Sequence, residues 1–198
     1  MADQPEEIIG ECDGTGYRAP QLKSLNEIRK LDQEDESLKR YKAALLGSIE
    51  LNEVPCPENP KCVVIDSFSI CVDGQGENKI SLRGALENLR SNPIPIPEGA
   101  SYHILVRYYV QRDIVTGLQY EHTVHRGPLR VDNSTVMVGS YGPQKDLREW
   151  KSETYTAPKG AMHRGTYNVK SRFRDIDKND FITWKWAINV VKSPTSTD

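Results

Sequence analysis

The chain has 198 residues and a mass of 22.4 kDa, room for one substantial domain or for a smaller domain with an appendage. It is 37% hydrophobic and 27% charged with a mean hydropathy of −0.61, so part of it falls short of what a packed core requires. No apolar run approaches the ~20 residues of a membrane-spanning helix, and a net charge of −2 with pI about 6.1 gives no global argument for nucleic acid or an anionic membrane as a partner.

The opening MADQPEEIIG has neither a basic n-region nor an apolar h-region, which reads as a cytosolic protein with reduced thiols. Residues 1–53 hold 12 Asp/Glu against 7 Lys/Arg (net −5), and residues 54–198 hold 16 against 19 (net +3). Only Tyr17 and Tyr41 of the fifteen aromatic residues precede residue 54. The two parts therefore differ in kind. Residues 1–23 begin with five acids, no Lys or Arg and three glycines before Tyr17, and read as a disordered acidic tail.

Residues 24–53 read as a helical arm. Ser24-Leu25-Asn26-Glu27 is a capping box that opens a short helix with Leu25, Ile28 and Leu31 on one face. The acids of Asp32–Glu36 suit the N-terminal end of a second helix, with Lys39, Arg40 and Lys42 further along and Gly47 as its stop. Its apolar stripe is Leu38, Tyr41, Leu45 and Leu46. Each helix is shorter than the ~12–15 residues at which an isolated helix is even marginal in water, so the pair needs a surface to lie on. Three prolines within residues 54–60 predict an extended linker rather than a packed connection.

From residue 61 to 198 the period changes from 3.6 to 2. Cys62–Val72, Ser101–Gln111, Leu118–Arg126, Leu129–Val138, Thr166–Arg174 and Phe181–Val191 read as strands. Ser81-Leu82, the segment after Asp146 and Pro93–Pro97 are weaker edge strands. Turn signals such as Asp73-Gly74, Thr116-Gly117, Gly127-Pro128 and Asp175–Asp180 separate them. Many short, punctuated strands predict an all-β antiparallel sandwich carrying the N-terminal arm. Trp184, Trp186, Ile188 and Val190 share one face, and Ile104, Val106, Tyr108 and Val110 share another. These residues suit a core, and the same types would also build a pocket for an apolar ligand.

The polar constellations point away from catalysis and metal. Asp175–Asp180 imitates the start of a calcium loop, but Asp180 stands where glycine is needed and Trp186 where a bidentate Glu belongs, so a solvated hairpin turn is the expectation. His122 and His125 fall on opposite faces of one strand with no third ligand nearby in sequence. Cys12, Cys56, Cys62 and Cys71 form no C-x-x-C pair and occupy no nucleophile elbow, and no phosphate-binding G-x-x-x-x-G-K-[ST] loop occurs. Neither an enzyme nor a cofactor is expected.

Five collinear segments carry a resemblance: LDQEDESLKRYKAALLG (31–47), RDIVTGLQY (112–120), MVGSYGP (137–143), APKG (157–160) and KSRFRDIDKNDFITWKW (170–186). Together, from about Tyr17 to Trp186, the chain resembles the Rho GDP-dissociation inhibitors. The resemblance implies a cytoplasmic partner of prenylated Rho-family small GTPases, preferring the GDP-bound form and pairing one to one without stable membrane insertion. The resemblance also implies that the sandwich is immunoglobulin-like and takes a geranylgeranyl group between its sheets, and that the arm would clamp the GTPase switch regions, block GDP release and extract the GTPase from membranes. By the same resemblance Asp35, Ser37, Leu38, Tyr41, Leu45, Leu46 and Asp177 correspond to GTPase-binding positions, and Phe68, Ile94, Ile114, Val169 and Trp186 to prenyl-binding ones. One segment departs from the family. Relatives carry an acid-rich stretch between MVGSYGP and APKG, whereas residues 144–156 interleave Asp146, Glu149 and Glu153 with Lys145, Arg148 and Lys151 and have no net charge. The alternatives are a general prenyl- or acyl-chain carrier of similar fold and an adhesion-type immunoglobulin-like module; the latter lacks the Cys…Trp…Cys order, since every Trp follows the last cysteine.

Overall fold

The computed structural model describes Glu36, Ser37, Arg40 and residues 54–193. Those first three are helical and exposed. The rest of the arm, including Asp35, Leu38, Tyr41, Leu45 and Leu46, lies outside the described residues, as does the acidic tail.

Alternating apolar residues put the chain into two packed sheets. In the first, the order is β2 (Gly76–Ser81), β1 (Val63–Val72), β4 (Ser101–Val110) and β7 (Arg148–Lys151), with β8 (Tyr155–Thr156) also on β4. In the second it is β3 (Ile94–Pro97), β10 (Asp180–Val191), β9 (Gly165–Arg174), β5 (Val115–Arg126) and β6 (Leu129–Tyr141). The predicted all-β sandwich is therefore the fold, and its six main strands are the six read from the sequence. Its pairing is not wholly antiparallel, however. β3 runs parallel to β10, with Ile94 opposite Ile188 and Ile96 opposite Val190. Between β2 and β4 the chain crosses to the other sheet through the 3-10 turn Glu87–Arg90, so it reaches β10 from the end that gives parallel alignment. The prolines of β3 have no N–H to donate, and an edge position tolerates them.

On β1 the inward positions are Val63 and Ile65, then Phe68, Ile70 and Val72. This change of parity falls at a bulge between Ile65 and Ser67, where the Asp66 carbonyl accepts the Leu82 N–H instead of continuing the ladder. The core is strongly aromatic. Phe173 stacks on Trp184 at 6.2 Å and 12°, Phe68 tilts against Trp184 and Trp186 at 5.5 and 5.1 Å, and Tyr120 meets Phe173 at 5.4 Å.

The Pro-rich segment is extended, as its prolines dictate, yet it is packed against the sandwich. Cys56 is fully buried. The buried Gln111 side chain accepts the Cys56 N–H and donates to the carbonyls of Cys56, Asn59 and Lys61 at 2.8–3.1 Å. Arg83 joins the Cys56 sulfur at 3.0 Å to the Asp66 carboxylate at 2.8 Å. One amide side chain, more than fifty residues away in sequence, thus fixes the segment predicted as a loose linker.

Candidate functional site: an apolar cavity between the sheets

The two sheets part at the end where β5 turns into β6. The opening holds a cavity of about 470 Å³, walled by Ile104 of the first sheet and by Val124, Val169, Trp186 and Ile188 of the second, with Leu129 and Val131 along its rim. The volume lies in the ~300–1,000 Å³ range of small-ligand sites. Tyr102, His122, Asp132 and Tyr155 form one polar corner. There His122 Nε2 lies 3.0 Å from the Asp132 carboxylate, Tyr155 sits edge-on to the His122 ring at 5.7 Å, and burial pushes the Tyr102 hydroxyl up to about 12. At neutral pH both tyrosines present uncharged surfaces, which suits an apolar occupant.

Trp186 forms the boundary between cavity and core. Its indole N–H donates to Ser171 Oγ at 2.9 Å, and the same hydroxyl meets Tyr120 Oη at 2.9 Å. With the polar atom satisfied internally, one side of the indole packs on Phe68 and another lines the cavity.

Of the five prenyl candidates, Val169 and Trp186 line the cavity as a direct cross-strand pair. Phe68 lies behind Trp186 and Ile94 beside Ile188, both buried and neither among the lining residues. Ile114 precedes β5 at the far end of the strand, ten residues from Val124 and so roughly 33 Å along it. Asp177 occupies the β9–β10 turn, also far from the cavity, and accepts a hydrogen bond from the Thr116 hydroxyl at 3.1 Å. In that turn Asp175 accepts the Asn179 backbone and side-chain N–H groups at 2.8 Å, so its buried carboxylate holds a hairpin together. Among the described residues no group of three His, Cys, Asp or Glu side chains is placed to hold a metal. Tyr102, His122, Val124, Leu129, Val131 and Tyr155 are lining residues that the sequence reading missed. Their only local signal is the pair of apolar positions, Leu129 and Val131, at a solvent-facing hairpin tip.

The chain is thus an all-β, two-sheet sandwich with an apolar cavity at one end. The comparisons give the family. The family model described as "RHO protein GDP dissociation inhibitor" matches residues 3–193. The chain is 37% identical over 196 residues to "Rho GDP-dissociation inhibitor 1" of Rattus norvegicus, covering 96% of this chain and 95% of that protein. It is 39% identical over 186 residues to "Rho GDP-dissociation inhibitor 3" of Bos taurus, covering 94% and 81%. Among solved structures, the C-terminal domain of wzt overlays 74% of the chain and 91% of its own at a TM-score of 0.45 and 10% identity. The chain belongs to the Rho GDP-dissociation inhibitor family, whose members are named for inhibition of GDP dissociation and not for a catalysed reaction.

Proposed function

We propose that this protein binds prenylated Rho-family GTPases in their GDP form, one to one, and holds them in the cytosol with the geranylgeranyl chain in the cavity. The observation that carries the reading is the apolar cavity beside Val169 and Trp186 in a chain of this family. Burying roughly twenty carbons at about 0.8 kcal/mol per CH₂ gives a gross gain on the order of 10 kcal/mol, comparable with what a bilayer offers the same chain. The sandwich alone can compete for the lipid without winning it. Contacts from the arm, with Asp35, Ser37, Leu38, Tyr41, Leu45 and Leu46 on the switch regions and Asp177 from the sandwich, supply the difference. Because those contacts hold the nucleotide-bound switch conformation, extraction and inhibition of GDP release come from one binding event.

The zero-charge 144–156 segment weakens attraction for a polybasic GTPase tail, and its acids are already engaged in part: Glu149 accepts from Arg107 at 3.0 Å. A cavity-filling substitution tests the reading. Val124→Trp should lower affinity for the geranylgeranylated GTPase toward that for the unprenylated form and leave the latter unchanged. Equal affinity of wild type and Val124→Trp for the prenylated GTPase would overturn it.

A further inference from the structure

We propose that the rim of the cavity is a docking surface for an anionic lipid bilayer. Six large apolar side chains are exposed among the described residues; two of them, Leu129 at 65% and Val131 at 45%, line this opening, and a third, Met162 at 84%, is the chain neighbour of the lining His163. Leu129 and Val131 sit on one side, on the β5–β6 tip, and Met162 sits on the other, in the 3-10 turn 161–163 whose His163 lines the cavity. Apolar residues concentrated in this way mark a contact surface.

Charge identifies what makes the contact. Residues 125–131 contain Arg126 and Arg130 and no acid, and residues 157–164 contain Lys159 and Arg164 and no acid. Three acids face this group. Glu98 is engaged by Arg164 at 2.6 Å, Asp132 by His122 at 3.0 Å, and Glu153 lies close enough to the lining Tyr155 to add to the burial that raises its hydroxyl, so four cations stand against three acids, a net of +1 with the histidines neutral. A polybasic peptide would be repelled by such a rim, and so would a second copy of it. Nucleic acid offers the protruding Leu129 and Met162 nothing apolar to enter. An anionic leaflet answers both features, taking the apolar tips into its interface and the cations among its headgroups. In that pose the cavity opens toward the hydrocarbon, so a lipid chain passes between bilayer and cavity without crossing water.

The test uses the full chain alone, without GTPase, and vesicles of pure phosphatidylcholine or rich in phosphatidylserine. Co-sedimentation should favour the anionic vesicles by at least about tenfold and fall as salt rises. Met162→Asp and Arg130→Glu, both at exposed positions outside the lining of the cavity, should each remove most of that preference while leaving binding of a soluble geranylgeranyl peptide at the wild-type level. Equal partition onto the two vesicle types, or unaltered partition of both variants, overturns the proposal. So does a wild-type dimer that Met162→Asp makes monomeric, since the rim would then be a self-contact. Loss of peptide binding with vesicle preference intact would instead count against the cavity's role in lipid-chain capture and leave the docking surface standing.

Discussion

Ser171 is a small residue on which two large ones depend, because its fully buried hydroxyl meets both the Trp186 N–H and the Tyr120 hydroxyl. Ser171→Ala leaves two buried polar groups without a partner, at about 1–3 kcal/mol each before relaxation, so the melting temperature should drop well beyond what the lost volume explains. Ser171→Thr keeps the hydroxyl, and calorimetry should place it nearer wild type. The two tryptophans should separate as well. Trp184 packs on Phe68, Phe173 and Tyr120, and its truncation to Ala should cost the ~3–5 kcal/mol of a filled core. Trp186→Ala enlarges a space that is already partly open and should cost less, while weakening the prenylated GTPase more than the unprenylated one. Equal stability losses for the two variants would mean that Trp186 is plain core. Far from the cavity, Arg107 and then Ser69 bond the Glu77 carboxylate and lower it to about 2. A carboxylate depressed on folding stabilises the native state above its unfolded value and loses that contribution as pH falls. Glu77→Gln should therefore destabilise at pH 7, with the difference from wild type shrinking between about pH 4.5 and 2. As Glu77 is more than a third exposed, solvent screening keeps the effect small.

At the level of elements, Gln111 offers the cleanest experiment. Gln111→Leu is similar in size and removes four hydrogen bonds to the 56–61 backbone, so amide exchange should rise sharply at Cys56 while the paired strands β9 and β10 keep their protection. Unchanged exchange at Cys56 would show that Arg83 and local packing hold the segment unaided. Gln111 also shows why this lock was illegible in the sequence, where it is one polar residue at a strand end and its partners lie some fifty positions away. The long strands were legible because alternation is local: one face of Ile104–Val110 and one of Trp184–Val190 read directly as interior. β2 was not, since Gly76–Ser81 is a polar edge strand exposed along most of its length and leaves no periodic trace. The parallel setting of β3 depends on which sheet the chain crosses to, a property of the whole topology. The same applies to the cavity. Val169 and Trp186 were named through family resemblance, while Tyr102, His122 and Tyr155 come together only because two sheets diverge at one end.

Across the whole molecule the two candidate contact regions stand apart. The cavity opens at one end of β9 and β10, and Asp177 lies in the turn at the other; Val169 is five residues, roughly 17 Å along the strand, from the last residue of β9 before that turn. A partner that engages both must span the sandwich, which suits a folded GTPase trailing a lipidated tail. Removing residues 1–53 should leave thermal unfolding of the sandwich nearly unchanged and still permit capture of a geranylgeranyl peptide, yet abolish inhibition of GDP release. Persistent inhibition by the truncated protein would assign the switch contacts to the sandwich. The Gln111 lock has a further consequence for the proposed contact between arm and GTPase. Pinning Cys56–Lys61 moves the origin of the tether from residue 61 back to about residue 54, so eight residues rather than fifteen separate it from Leu46. Under the proposed function, a tether with the dimensions of a flexible coil would shorten in reach from roughly 22 Å to roughly 16 Å, and the effective concentration of the arm at a captured GTPase would more than double without any new contact.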